Sequence, residues 1–301
     1  SRGLGDVYKR QTFNMGVFML KLVILIIYFA VLIGIGLYCR KHATDVNGFV
    51  LGGRSVGPWL TAFAYGTSYF SAVVFVGYAG QFGWKYGIAA TWAGIGNAII
   101  GSLLAWVVLG RRTRIMSQHL DSATMPQYFG KRFGSNPLKI GASVIIFIFL
   151  IPYTASLYNG LSRLFGMAFN IDYSVCIIIM ATLTAIYVIA GGYMATAIND
   201  FIQGIIMLFG IVAVIAAVIH SKGGFMSALQ GLANVSDPAV SDTPGIFASF
   251  FGPDPFNLLC VVILTSLGTW GLPQMVQKFY AIDNEASIQK GTVISTIFAL
   301  I

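Results

Sequence analysis

The chain has 301 residues, of which 57% are hydrophobic and 9% charged, and its formal net charge is +8. Water-soluble domains carry roughly 25% charged residues, so this composition, with a mean hydropathy of +0.80, excludes an ordinary soluble fold and makes lipid the expected solvent. The basic excess does not signal nucleic acid, because it sits in short connections between apolar stretches, where cytoplasmic loops carry it.

Residues 1–14 carry no initiator methionine and are expected to be a non-native leader; Met15 opens the transmembrane domain, 15–301. Runs of about 20 apolar residues cross a bilayer. They predict spans near 17–38, 59–81, 87–109, 138–166, 172–190, 196–220 and 255–281, with an eighth starting near 290 and cut by the chain end. The first is too long for a signal peptide and lacks a small-residue cleavage site. Counting Lys and Arg in the connections and toward the span ends gives eleven on one side and four on the other. The richer side, which includes Arg54, Arg111, Arg114, Lys278 and Lys290, is read as cytoplasmic, with the N-terminus outside. The longest connection, 221–254, reads as a solvated loop. Cys39, Cys176 and Cys260 are scattered and form neither a disulfide framework nor a metal spacing.

Two spans look interrupted. The second, WLTAFAYGTSYFSAVVFVGYAGQFG, places Gly66-Thr67-Ser68-Tyr69-Phe70-Ser71 at mid-depth. The seventh contains Gly268, Gly271 and Pro273 around Thr269 and Trp270. Irregular backbone at membrane depth is tolerated only inside protein or beside a wet cavity, and paired interruptions point to a transporter binding site. The alternative is that the small residues only allow close helix packing. Asp200, in the sixth span, reads either as a cation or proton site or as a helix-start charge favoured by the macrodipole. Tyr153, Ser156 and Asn159 form a polar stripe that lines a cavity or satisfies neighbouring helices. No paired carboxylates, histidine cluster or nucleophile–base pair suggests an enzyme, and no pore-loop sequence suggests a channel.

Three stretches, GFVLGGRSVGPWLTAFAYGTSYFSA, YVIAGGYMATAINDFIQG and SLGTWGLPQMVQKFYAID, resemble the sodium:solute symporters, as does YTASLYNGLSRLF in the fourth span. The resemblance implies an all-α polytopic membrane protein with a LeuT-type five-plus-five inverted repeat. An extra N-terminal helix precedes it, and the second repeat is truncated. It implies sodium-coupled symport of a small organic solute, such as proline, pantothenate or a monocarboxylate, in a bacterial plasma membrane, with Na+ as coupling ion and no other cofactor. Sodium would bind the main-chain carbonyls of Thr67 and Phe70 together with hydroxyls of a helix beyond residue 301. Asp200 would serve coupling or a second sodium, and Tyr69, Ser71, Tyr153, Trp270 and Gln274 would meet the solute. Tyr69 stands where proline transporters carry aspartate and Val74 where sugar transporters carry glutamine, while the GLP run is similar to the pantothenate and carboxylate branches. A different reading makes the same module the sensor of a C-terminal signalling kinase.

Overall fold

The computed structural model describes residues 2–70, 78–237, 239–241 and 243–301. Among them there is no β-strand, only isolated bridges between Val56 and Ile282 and between Asp237 and Ser241. Helix α1 (Arg2–Cys39) leads into short α2 (Val46–Leu51), which Asp45 caps by accepting the Gly48 N–H at 3.0 Å. Helix α3 (Pro58–Tyr69) opens with proline at its first turn, where a missing N–H costs nothing. The second predicted span resumes as α4 (Ala79–Tyr86).

Gly87 (φ 59°, ψ −138°) then turns the chain into the third span, which runs through α5 (Thr91–Gly96), two π-helical stretches and α6 (Arg111–His119). After α7 (Met125–Phe133) come two long apolar helices, α8 (Asn136–Phe169) and α9 (Tyr173–Ser221). At about 1.5 Å per residue, the 49 residues of α9 exceed twice the roughly 30 Å hydrocarbon thickness. Gly192 (φ 58°, ψ −149°) breaks it where two separate spans are predicted.

Among the described residues four helices are long and apolar enough to cross a membrane, and the pair Pro255–Gly271 and Pro273–Ala281, bent by 53°, makes a fifth if it is counted as one span. The apolar window of α8 buries none of its residues within the chain, and Ile145, Phe147, Ile148 and Phe149 stand exposed on it. Such a face suits hydrocarbon rather than water. The molecule is therefore an integral membrane protein.

Residues 221–254 are not the free loop expected. They hold α10 (Phe225–Ala233) and a turn of 3-10 helix, and they dock on the entrance to the third span. Phe247 is 3% exposed, and the Trp92 indole donates to the Phe250 carbonyl at 2.9 Å. A Cβ on Gly87 would land on the Phe247 carbonyl, so the turn and the docked segment specify each other.

The core lies where α3 meets α12 (Pro273–Ala281), α13 (Glu285–Leu300) and the third span. Tyr65, Trp106 and Phe279 interlock there, with ring centroids 5.1–5.7 Å apart. At one end, Arg54 donates to the carbonyls of Ser117, Ser122 and Tyr280, and Arg114 to those of Ile282 and Asp283. The Tyr280, Ile282 and Asp283 carbonyls lie at the close of α12, where helical donors run out, and those of Ser117 and Ser122 at the close of α6, so the two arginines bridge the ends of both helices. Burial pulls the Arg54 guanidinium below its ordinary value, opposed by the nearby Asp121 carboxylate; it stays protonated at any physiological pH.

Candidate functional site

Two helices stop partway and face one another. Helix α3 ends at Tyr69, where Phe70 leaves helical geometry (φ −90°, ψ 64°) while its N–H still bonds the Gly66 carbonyl at 2.8 Å. The last carbonyls of a helix run out of in-helix donors. For Thr67, Ser68 and Tyr69 those donors would be residues 71–73, so Ser71, like Val74, lies outside the described residues. Opposite, α11 (Pro255–Gly268) tightens into a 3-10 turn at Thr269–Gly271, Leu272 is extended, and α12 begins. Pro273 therefore occupies the first turn of a new half-helix rather than kinking a continuous one.

Tyr69 and Phe70 from the first break, and Thr265, Gly268 and Thr269 from the second, line a cavity of about 730 Å³. That is the size class of small-molecule sites. Its other walls include Tyr78, Phe82, Asn97, Ile211 and Phe298. Asn97, which sequence reasoning missed, is a hub: its Oδ1 accepts from Tyr69 Oη at 2.6 Å and from Ser266 Oγ at 3.1 Å, while its Nδ2 donates to the Ala93 carbonyl at 2.7 Å. Asn97 begins a π-helical stretch, a geometry often found at functional positions. It ties the third span to both interrupted helices.

The expected solute residues separate into distinct situations. Tyr69 lines the cavity with its hydroxyl held by Asn97. Trp270 donates its indole N–H to the Ile100 carbonyl at 3.0 Å and packs on the core. Gln274, one turn past the break, has both amide atoms buried with no protein partner. Tyr153 lies on α8 and is not among the residues lining this cavity. In its stripe, the Ser156 hydroxyl donates to the Tyr153 carbonyl at 2.7 Å, and Asn159 accepts from Arg163 and Tyr173. Neighbouring groups thus satisfy Ser156 and Asn159.

Thr67 donates its hydroxyl back to the Phe63 carbonyl at 2.9 Å, so a cation at this position would meet its main-chain oxygen rather than its side chain. Asp200 is ion-paired. Lys278 Nζ lies 3.5 Å from its Oδ2, the two side chains 7% and 23% exposed, and stacks over the Tyr193 ring at 5.2 Å. Lys278 is therefore a buried residue of α12 and not the loop charge it was counted as. Nearby on α9, Asn199 is 1% exposed with both amide atoms unpartnered.

These features define a class: an all-α integral membrane protein with a ligand-sized cavity between two interrupted helices. The sequence model of the sodium:solute symporter family matches residues 49–301. The chain is 31% identical over 261 residues to the osmoregulated proline transporter OpuE of Bacillus subtilis, covering 86% of this chain and 51% of that protein. It is 32% identical over 282 residues to the sodium/proline symporter of Staphylococcus aureus, covering 89% and 51% respectively. The chain belongs to the sodium:solute symporter family, whose members are transport proteins rather than enzymes, and it spans about half the length of these relatives.

Proposed function

We propose that the chain forms part of a sodium-coupled symporter for a small organic solute, with proline the foremost candidate. The observation that carries this is the pair of interrupted helices lining one cavity. Sodium would bind the carbonyls of Thr67 and Phe70 at the first break, because a small hard cation takes oxygen ligands and a helix end offers them. The solute would lie in the cavity against Tyr69; Trp270 and Gln274 are not among the residues lining it, and the buried, unpartnered Gln274 amide is proposed as a further polar contact, while Ser71 lies outside the described residues.

The five-plus-five inverted repeat is part of this proposal. Spans two to six form one repeat, and the α11–α12 pair opens the other. So is the orientation: the end bearing Arg54 and Arg114 faces the cytoplasm of a bacterial plasma membrane, and the N-terminus lies outside. The relatives named for proline favour that solute over pantothenate or a monocarboxylate.

The test is uptake of labelled proline by the intact protein in proteoliposomes. An inward sodium gradient should drive accumulation, and choline in place of sodium should abolish it. Equal uptake in both would remove the sodium claim. Competition by excess pantothenate or lactate, without competition by proline, would reassign the solute.

A further inference from the structure

The hydrogen bonds around Asn97 fix where the protons point in the cavity between the interrupted helices. The Ala93 carbonyl can only accept, so the Asn97 atom that meets it at 2.7 Å is the amide nitrogen. The amide oxygen is then the atom that Tyr69 Oη reaches at 2.6 Å and Ser266 Oγ at 3.1 Å. An amide oxygen has no proton to give, so both hydroxyls donate to it. A phenol carries one proton, and the other oxygen near Tyr69 Oη, the Thr265 carbonyl at 3.2 Å, competes for that same proton. The Tyr69 oxygen therefore turns lone pairs, not a proton, to the cavity it lines. This arrangement is built into the packing. Tyr69 is 7% and Asn97 9% exposed, and a Cβ on Gly101 would collide with the Tyr69 hydroxyl, so glycine at that position of the third span leaves the phenol its seat.

The rest of the wall repeats this polarity. Thr265 donates to the Val261 carbonyl at 2.9 Å and Thr269 to the Ser266 carbonyl at 2.9 Å. Apart from Tyr78, which is half exposed, the hydroxyls of the described lining residues spend their protons inside the protein. Among those residues there is no Asp, Glu, Lys, Arg or His.

We propose that Asn97 is a positioning residue that makes Tyr69 Oη a hydrogen-bond acceptor, and that this wall selects solutes presenting an ammonium group over carboxylates without one. The inference rests on the symport reading above and narrows its solute class. A zwitterionic amino acid places its N–H groups against these oxygens, and hydrogen bonds from a charged donor are the stronger kind. A monocarboxylate brings a negative charge to an uncharged wall of lone pairs, where nothing replaces the water it sheds. A site whose buried polar groups await an N–H rejects the analogue lacking it, because those groups are left unpaired.

The experiment uses the intact, purified protein in saturating sodium. It measures binding of L-proline and of tetrahydrofuran-2-carboxylate, whose ring oxygen replaces the N–H, by competition against radiolabelled proline. The parent should prefer proline by at least about 30-fold, the size of one charge-assisted hydrogen bond. Tyr69→Phe and Asn97→Leu should each cut that preference to less than about a third of its parental value. A parent that binds the two ligands within about threefold of each other overturns the proposal. So does an Asn97→Leu protein that weakens both equally and keeps the parental ratio, since a merely structural residue would do that. If Asn97→Leu does not fold, the parental ratio and Tyr69→Phe decide the question. Sodium-driven uptake of lactate or pantothenate without binding of proline keeps the symport reading and overturns this inference alone. A parent that accumulates none of the three with sodium overturns both.

Discussion

The Gln274 amide and the Arg114 guanidinium are both buried polar groups, and they stand in opposite energetic positions. The Gln274 amide has no protein partner, and a buried group left unsatisfied costs about 1–3 kcal/mol. Gln274→Leu should therefore keep or raise the thermal midpoint while weakening proline binding at least about tenfold, or ~1.4 kcal/mol. Differential scanning fluorimetry and titration calorimetry read the two effects separately. A lower midpoint with unchanged affinity would make the amide structural. Arg114 is fully engaged, its Nε 2.6 Å from the Ile282 carbonyl and its two terminal nitrogens 2.9 Å from Gln118 Oε1 and the Asp283 carbonyl. A lysine offers a point charge where this site needs a planar fork. Arg114→Lys should lose about 2 kcal/mol of stability, seen as a lower unfolding midpoint in detergent. Arg111, by contrast, meets Glu285 at 2.7 Å with side chains 71% and 50% exposed, and an ion pair that open to solvent adds little.

Helix α9 shows how one residue sets the course of an element. Its apolar composition favours an uninterrupted helix, and only the Gly192 conformation divides it. A Cβ there would meet the Phe49 carbonyl at 2.7 Å, and the φ of 58° is one that other residues adopt only with strain. Gly192→Ala should therefore destabilise the protein by on the order of 3 kcal/mol, combining backbone strain and overpacking. Thermal unfolding of the purified protein checks this, and an unchanged midpoint would show that the α9 backbone adapts. The α11–α12 break depends on a different device. Leu272 is extended and Pro273 starts the next half-helix, so the 53° bend needs no strained residue. The docked 225–251 segment has a third basis, aromatic packing of Trp92 on Phe250 at 4.8 Å and burial of Phe247.

The molecule as a whole couples the two interrupted helices through shared walls and shared hydrogen bonds. Asn97 bonds Tyr69 of α3 and Ser266 of α11, so the relative position of these helices is registered on a third span. The Asp200–Lys278 pair similarly links α9 to α12. If one sodium ion moves with each zwitterionic solute, one net charge crosses per cycle. A potential of about 100 mV then contributes about 2.3 kcal/mol, close to a 50-fold accumulation ratio with no sodium gradient. Steady-state proline accumulation against imposed potassium-diffusion potentials measures this slope. A slope twice as steep on a logarithmic scale would mean two charges per solute.

The sequence by itself determined the class of protein, the breaks that follow Tyr69 and Gly271, and the family. These follow from local properties: apolar runs long enough for a bilayer, glycine and proline at mid-span, and short motifs kept in order along the chain. Gln274 and Thr67 are proposed as site residues because they lie beside such interruptions. Only the tertiary structure decided that Lys278 faces Asp200, that Asn97 receives the Tyr69 hydroxyl, and that the long connection docks beneath Trp92. Each of these joins segments separated by 28 to 158 residues. Hydropathy and spacing report what one segment prefers, whereas the partner of a buried polar group is fixed by which helices pack against it.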